Sequence, residues 1–419
     1  MNKLKYSIIY ALIFLLTFLG IQFLPLKIQA VNPPNNLKIF YTQIETDNQE
    51  QLQQIKRLGF DTVLPHYNLN ETTDQMSQDF LANAAEVGLQ VIFPSSHYPN
   101  QAQKFIDKIV AWNPRYQQII IGWYMADEPE PSYNNIPPAE LEKAYQSIKQ
   151  SARNQGFEDT IYIGFSGLAL SNPKQLNSLE AYKNAYDVAL VNFYPIKQGE
   201  SELGTSKNKY YLEGVEKMVI FTRRVYDLAS KVQKPWIPVL QAFGKIPSKP
   251  DWKWRLPTKR EFSAMLFQVM VPPFSHNVQR PAGVALWAYH RLLESENFTF
   301  QGDTGTKNWR DDVLGDVFLK QYVGTNASSI LLNGTIKAQP IIADYLGIEA
   351  WLLEYNNQEY LVAANRSGIA TRDDGLEKDI ANNIDSYCPG TKNLVSDNWT
   401  EYRVVLIDCA NKTLLVNAK

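Results

Sequence analysis

The feature that most constrains the fold is a regular alternation of short β-branched, apolar runs with amphipathic helical patterns, from residue 37 to about residue 320. The runs with strand character cover residues 37–43, 61–66, 90–94, 119–125, 161–165, 188–194, 236–242 and 283–289. The clearest helical patterns cover residues 49–58, 78–87, 101–112, 139–154, 211–231 and 259–270. Gly59, Gly88 and Gly156 follow helical patterns, which predicts left-handed caps leading into the next strand.

This alternation favours one class of α/β fold. Eight β-then-α units over about 280 residues match a closed barrel, whereas an open doubly wound sheet usually has fewer strands and a glycine-rich phosphate turn. Neither a G-x-G-x-x-G nor a Walker-type sequence occurs in the chain. We therefore predict an α/β fold, a (β/α)8 TIM barrel over residues 31–324.

The pattern changes after residue 324. Strand-like runs at residues 341–342, 349–355, 360–364 and 402–407 are separated by Asn, Gly and Asp clusters, without helical patterns between them. This texture predicts a C-terminal all-β, sandwich-like domain over residues 325–419.

The first thirty residues have the pattern of an export signal. Lys3 and Lys5 precede an apolar run over residues 8–26, and Ile28-Gln29-Ala30 offers a cleavage site with a small residue. Residues 1–30 are therefore interpreted as a signal peptide of a secreted or periplasmic protein. About 20 apolar residues also suffice to cross a bilayer, so a retained N-terminal anchor is the alternative.

The chain has two cysteines, Cys388 and Cys409, and both lie in the predicted C-terminal domain. In an oxidising compartment such a pair favours a disulfide that joins two neighbouring segments. Two buried free thiols are the alternative.

Charge and composition narrow the classes of partner. With 41 basic and 43 acidic residues, the net charge of -2 provides no basic surface for nucleic acid. We expect no membrane contact beyond the possible anchor, and the sequence does not predict the oligomeric state. The four histidines lack metal-ligand spacing, so we expect no metal and no cofactor.

The strongest chemical signal lies at the end of the fourth predicted strand, where Asp127 and Glu128 follow an apolar run. In a (β/α)8 barrel the working groups lie at the C-terminal ends of the strands. Strict alternation places Glu128 on one face with Tyr124 and Ala126, and places Ile121 on the opposite face. A carboxyl at the barrel mouth would have its pKa raised by desolvation and could protonate a leaving glycosidic oxygen. A loop cap or a surface ion pair is the alternative role.

Residues 123–129 read WYMADEP, which resembles the strand-four signature of the large clan of retaining (β/α)8-barrel glycoside hydrolases. In that clan an Asn-Glu, often Asn-Glu-Pro, carries the acid/base glutamate, so the resemblance implies that Glu128 is the catalytic acid. Asp127 stands where the clan has an Asn that bonds a sugar hydroxyl. A carboxylate can still accept that bond, and its charge would raise the pKa of Glu128.

The resemblance fails at the second catalytic group. The clan has a nucleophilic Glu at the end of strand seven, and the matching residue here is Gln241, which is neither a base nor a nucleophile. Retaining hydrolysis needs carboxyls about 5 to 5.5 Å apart, and inverting hydrolysis needs a wider separation. Glu45, Glu294, Glu296 and Asp127 are the other acidic candidates. An N-acetyl group of the substrate could instead act as the nucleophile, with Asp127 orienting it.

Polar and aromatic residues at the other strand ends are of the kinds that bind sugars, because aromatic faces stack on pyranose rings and polar groups bond hydroxyls. The candidates are His66, Asn192, Tyr194, Gln241, Trp287 and Tyr289. The sequence thus predicts a glycoside hydrolase-like protein that cleaves O-glycosidic bonds of an oligo- or polysaccharide. A catalytically inactive carbohydrate-binding barrel is the alternative, and Gln241 favours it.

Overall fold

Parallel strands and helices alternate around a closed barrel in this computed structural model. It describes residues 35–44, 48–66, 73–95, 99–131, 134–167, 178–197, 213–244, 254–273, 279–298, 308–343, 347–366, 374–396, 399 and 402–418. Within these residues the barrel has eight strands in sequential order, and β8 pairs with β1 to close it. They are β1 (Leu37–Gln43), β2 (Thr62–His66), β3 (Gln90–Pro94), β4 (Ile120–Asp127), β5 (Ile161–Ser166), β6 (Val188–Phe193), β7 (Trp236–Gln241) and β8 (Gly283–Trp287).

Helices follow the strands, as the alternating pattern predicted. They are α1 (Gln49–Arg57), α2 (Asp74–Val87), α3 (Pro99–Trp112), α4 (Pro138–Asn154), α5 (Ser178–Ala181), α6 (Glu213–Val232), α7 (Lys259–Met270), α8 (Tyr289–Phe298), α9 (Arg310–Val323) and α10 (Ala327–Asn333). A short 3-10 helix, Pro114–Gln118, precedes β4. The predicted (β/α)8 TIM barrel is confirmed.

Side-chain alternation separates the barrel interior from the layer between strands and helices. In β1, Ile39 and Tyr41 lie in the interior cluster, whereas Phe40 packs outward against Phe60. This is the period of two that a strand imposes. The predicted glycine caps are also confirmed, because Gly59, Gly88 and Gly156 have φ values of 92°, 75° and 75°.

Strand β4 departs from strict alternation, and this departure shapes the candidate site. Its pairing register shifts twice, once against β3 and once against β5 between Tyr124 and Ala126. Ile121 consequently packs in the barrel interior and Ala126 packs in the helix layer, so the predicted faces of both residues were wrong. Each irregularity adds a residue to one strand and reverses the faces beyond it. Asp127 therefore lies on the interior face with Tyr124, whose hydroxyl it contacts.

The described part of the C-terminal region contains one antiparallel sheet, which confirms the predicted β domain. Its strands are β9 (Thr335–Ala338), β10 (Ile341–Ala343), β11 (Ile348–Tyr355), β12 (Gln358–Asn365), β13 (Val404–Asp408) and β14 (Thr413–Ala418). A helix, α11 (Asp374–Tyr387), packs on one face through Ile380 and Ile384. The expectation that no helix would interrupt these strands was wrong at α11.

The two cysteines form the predicted disulfide. Cys388 follows α11 and Cys409 follows β13, and their Cα atoms are 5.0 Å apart. The bond therefore joins the covering helix to the sheet.

The other face of the sheet packs against the barrel helices through a buried polar network. Arg366, after β12, donates to the carbonyl oxygens of Val271 at 2.6 Å and Pro272 at 3.1 Å. Gln268 of α7 donates to the carbonyl oxygen of Asn365 at 2.9 Å. Arg366 also forms an ion pair with Glu349 of β11. The sheet is thus fixed to the barrel by directional bonds as well as by apolar packing.

The predicted signal peptide, residues 1–30, lies outside the described residues. Among the described helices, none has the length and apolar character needed to cross a membrane. The domain boundaries at 31–324 and 325–419 stay predictions.

Candidate functional site

The adjacent carboxylates of Asp127 and Glu128 lie where β4 ends, at the barrel mouth. The Glu128 N–H still donates to the carbonyl oxygen of Gly164 in β5, at 2.8 Å, so it extends the strand pairing by one bond. The backbone of Glu128 then turns into a left-handed conformation, with φ of 42°. Asn134 donates its side-chain N–H to the Asp127 carbonyl oxygen at 2.6 Å and holds this turn.

Glu128 is half-buried and has one side-chain hydrogen bond that ties it to another strand. Asn192, at the end of β6, donates its Nδ2–H to Glu128 Oε1 at 2.8 Å. Burial raises the pKa of Glu128, the nearby charge of Asp127 raises it further, and the Asn192 hydrogen bond lowers it by a smaller amount. The net pKa is above the ordinary value, so the proton is retained at a higher pH than in a solvated Glu.

The Asp127 carboxylate accepts a hydrogen bond from a tyrosine in the barrel interior. The Tyr124 hydroxyl donates to Asp127 Oδ1 at 2.6 Å, and the ring of Tyr41 packs edge-on against Tyr124 with centroids 6.1 Å apart. Burial first, and then the charge of Asp127, raises the pKa of both phenols well above the ordinary value. Both tyrosines are therefore neutral phenols, and Tyr124 is the one that donates a hydrogen bond to a carboxylate.

An aromatic cluster lies beside the carboxylates, at the ends of β6, β7 and β8. Tyr194 and Trp287 are partly exposed, and their ring centroids are 5.8 Å apart. Phe243 packs edge-on against both, at 5.1 Å and 4.8 Å, and Trp254 packs against Phe243 at 5.9 Å. Burial raises the pKa of Tyr194 well above its ordinary value, and the nearby charges of Asp127 and Glu128 add to the shift. The arrangement offers flat apolar faces next to a proton donor.

His66 reaches the same end of the barrel, as predicted. It is exposed at the end of β2, and its charge acts on His290, which follows β8. Burial, followed by the charges of Arg291 and His66, lowers the pKa of His290 to about 3. His290 is thus a neutral imidazole, and it packs edge-on against Trp287 with centroids 6.4 Å apart.

Gln241 lies at the end of β7, but its side chain is directed to the backbone of neighbouring loops. It is completely buried, and its amide accepts from Ile196 N–H at 3.0 Å. It donates to the carbonyl oxygens of Ile196, Phe243 and Arg255 at 3.0, 3.2 and 2.8 Å. With these bonds the amide joins the loops after β6 and β7, which does not fit the predicted contact with a sugar.

Tyr289 is also away from the cluster. Its ring packs in the helix layer against Phe40, with centroids 5.4 Å apart, and its hydroxyl bonds the side chain of Gln54 in α1. The prediction placed Tyr289 in the strand, whereas β8 ends at Trp287 and Tyr289 begins α8. The structure does not bring Tyr289 to the mouth.

A third carboxyl, Glu130, lies close to the first two and was not selected from the sequence. Its side chain is completely buried, and burial raises its pKa to about 7. Backbone hydrogen bonds oppose this shift, and the charges of Glu128 and Asp127 add to it. An acidic residue so soon after a strand end is the sequence signal that could have indicated this position.

Glu45 lies outside the described residues, as do the side chains of Glu294 and Glu296. In the part of the chain that the structure describes, no group of three or more His, Cys, Asp or Glu side chains is arranged to hold a metal ion.

No protein-family model matches the sequence, and no curated protein matches it. Several solved structures that resemble it are glycoside hydrolases. A monomeric beta-xylosidase from Caulobacter crescentus CB15 is 13% identical, with a TM-score of 0.45, over 79% of this chain and 73% of that chain. Amy13B from Eubacterium rectale is 10% identical, with a TM-score of 0.46, over 81% and 87% of the two chains. A lyase/mutase candidate from Burkholderia cenocepacia J2315 has a TM-score of 0.37. All three TM-scores are below 0.5.

Proposed function

We propose that this protein is a glycoside hydrolase-like barrel that acts on an oligo- or polysaccharide, with Glu128 as the general acid. The observation that carries the proposal is a half-buried carboxyl with a raised pKa, bonded to Asn192 at the end of β6, where the ring of Tyr194 follows and packs against Trp287. A proton donor next to flat apolar faces is what cleavage of a glycosidic bond requires.

In the proposed reaction Glu128 donates its proton to the glycosidic oxygen as the bond from that oxygen to the anomeric carbon breaks. Water supplies the oxygen that joins the anomeric carbon, and the proton that water loses restores the acid. Asp127 keeps Glu128 protonated through its charge and accepts a hydrogen bond from the sugar. Asn192, Tyr194, Trp287 and His66 form the sugar subsite.

The proposal has two forms, which differ in whether the group that attacks the anomeric carbon comes from the site or from the substrate. The end of β7 supplies an amide, Gln241, that is already bonded to the backbone of three residues in two loops. The attacking group is therefore a water or carboxylate elsewhere at the mouth, or the amide oxygen of an N-acetyl group on the substrate. Activity restricted to N-acetylated sugars would identify the second route.

The test is the release of reducing sugar from a panel of plant, fungal and bacterial polysaccharides by the wild type and Glu128→Gln. We expect a loss of about 10²-fold or more in the variant, because general acids contribute that much. Glu142→Gln is the matched control, since Glu142 is exposed on α4. Undiminished activity of Glu128→Gln would reject Glu128 as the acid.

The second candidate function is carbohydrate binding without cleavage, and Gln241 at the end of β7 favours it. This function predicts that the wild type is retarded by a polysaccharide in affinity electrophoresis yet releases no reducing sugar from it. Trp287→Ala should abolish the retardation, because a partly exposed aromatic face of the proposed sugar subsite is lost. Release of sugar by the wild type, lost in Glu128→Gln, would contradict this function.

We also propose that the protein is exported, as a secreted or periplasmic protein, through the signal at residues 1–30. The disulfide between Cys388 and Cys409 supports this, because such bonds persist in oxidising compartments. Cell fractionation of the full chain, with N-terminal sequencing of the product, separates cleavage from a retained anchor. Recovery in the cytosolic fraction with an intact N-terminus would contradict export.

A further inference from the structure

Glu130 has an environment that is unusual for a carboxyl group. It lies two residues beyond Glu128, is completely buried, and has no ion pair with any described residue. Burying an ionisable group without a cation is unfavourable, so a buried carboxyl needs a compensating interaction. The compensating contact from another strand is a hydrogen bond from the Ser166 N–H to Glu130 Oε1, at 2.9 Å.

This hydrogen bond takes the place of a missing bond between strands. β4 and β5 are paired up to Asp127 and Gly164, and the Glu128 N–H bonds the Gly164 carbonyl oxygen. In a parallel ladder the next acceptor for Ser166 would be the carbonyl oxygen of Glu128. The turn at Glu128 directs that oxygen away, and it accepts from the Asn134 N–H at 3.2 Å.

The turn after Glu128 is also held by hydrogen bonds on the side away from β5. The hydroxyl of Tyr182, which follows α5, bonds the carbonyl oxygens of Pro129 at 3.0 Å and Ile136 at 2.8 Å. The Ile136 N–H bonds the same Pro129 oxygen at 3.0 Å. Glu130 and Tyr182 thus hold Pro129, the residue that directly follows Glu128, between β5 and the loop.

We propose that Glu130 is a positioning residue, which replaces a strand carbonyl, holds the turn after β4 against β5 and so keeps the Glu128 carboxyl half-buried beside Asn192. The inference rests on the proposed function in that Glu128 is taken as the acid. Glutamine at position 130 keeps an oxygen acceptor for Ser166. Methionine has a similar size and removes the acceptor.

The first experiment measures the pKa of Glu128 without any substrate. Glutamate labelled with ¹³C at the side-chain carboxyl is followed by NMR over a pH titration of the full chain, and Glu128→Gln assigns the resonance. We expect Glu130→Met to lower the pKa of Glu128 towards its ordinary value, because a loosened turn exposes the carboxyl to water, and Glu130→Gln to retain most of the raised value. Asp385→Ala is the control, because Asp385 accepts two backbone N–H groups in the C-terminal region.

The inference is overturned if Glu130→Met leaves the titration of Glu128 unchanged, or if Glu130→Gln shifts it as far as Glu130→Met does. Should Glu130→Met not fold, Tyr182→Phe removes the hold on Pro129 from the other side and is expected to lower the pKa in the same direction. An unchanged titration in Tyr182→Phe would then overturn the inference. Because no turnover is needed, these outcomes are independent of whether the chain hydrolyses glycosides.

The second experiment applies to whichever polysaccharide the wild type hydrolyses. A misplaced acid slows the bond-breaking step, so Glu130→Met should lower kcat by roughly tenfold or more and change KM little. Glu130→Gln should recover most of that loss. A rise in KM with unchanged kcat would contradict the positioning role.

Discussion

At the scale of single residues, the buried carboxyl of Glu130 makes stability depend on pH. Burial raises its pKa to about 7, so the folded chain holds a proton that the unfolded chain releases at a lower pH. The associated stability is fully present below the ordinary Glu pKa and is lost as pH rises through about 7.

We therefore expect Glu130→Gln to remove this dependence. Relative to the wild type, the free energy of unfolding of the variant should rise by up to about 3 kcal/mol between about pH 5 and about pH 8. Urea unfolding at several pH values measures the difference. Parallel curves for the two proteins would contradict the assignment of this proton to Glu130.

Gly164 is the residue that permits the contact between Tyr124 and Asp127. A Cβ on Gly164 would lie 2.4 Å from the Tyr124 hydroxyl and 2.6 Å from Asp127 Oδ1. Gly164→Ala should therefore destabilise the fold by about 1 to 3 kcal/mol and lower any hydrolytic activity.

The matched control is Gly315→Ala, in α9. The nearest atom to a Cβ there is the Arg310 carbonyl oxygen at 3.7 Å, so this change should be neutral or stabilising by up to about 1 kcal/mol. Thermal unfolding compares the two variants. Equal effects on stability would contradict the close approach at Gly164.

The sequence predicts residues whose role follows from position on a strand, and it misses residues whose role follows from tertiary contacts. Glu128, Asn192 and Tyr194 end strands of the barrel, and the barrel brings them together. Glu130 is buried because a backbone group on β5 needs an acceptor, which no local pattern records. Gln241 ends a strand as well, but loops fold over it and occupy its amide.

At the scale of elements, the disulfide between the end of α11 and the end of β13 should stabilise the C-terminal sheet. It closes a segment of 21 residues. A loop of that length corresponds to about 3 kcal/mol of stabilisation through the unfolded chain.

The double variant Cys388→Ala with Cys409→Ala is expected to lose about that amount in urea unfolding. Reduction of the wild type by dithiothreitol under native conditions should produce a similar loss. No change in either case would contradict a structural role for the bond.

Elements with a strong local sequence pattern were predicted, and elements with a weak pattern were missed. Strand and cap positions were predicted because apolar periods and glycines are strong signals. The irregularity in β4 was missed because the run is apolar on both faces of the strand, so no alternation of polar and apolar residues marks the change of face. Helix α11 was missed although Leu376, Ile380 and Ile384 recur every four residues, because Asn and Gly favour a loop reading.

At the scale of the whole molecule, the sheet and the barrel share a buried polar interface and should unfold together. Arg366 bonds two carbonyl oxygens that follow α7, and it pairs with Glu349 of β11. Removing one partner of a buried ion pair costs about 3 to 5 kcal/mol.

Arg366→Met should therefore lower the free energy of unfolding by about 3 kcal/mol or more, whereas Arg115→Met, at an exposed site, should change it little. Circular dichroism and tryptophan fluorescence should report one coincident transition for the wild type. Two separate transitions in the wild type would contradict a shared interface.

The most direct test of the account compares two glycosides that share a sugar and differ in their leaving group. A sugar or alkyl leaving group needs protonation by Glu128, whereas 2,4-dinitrophenolate departs without it. Glu128→Gln should lower kcat/KM by about 10²-fold or more on the first substrate and far less on the second. Equal losses on both substrates, or no loss on the first, would contradict the role of Glu128 as the proton donor.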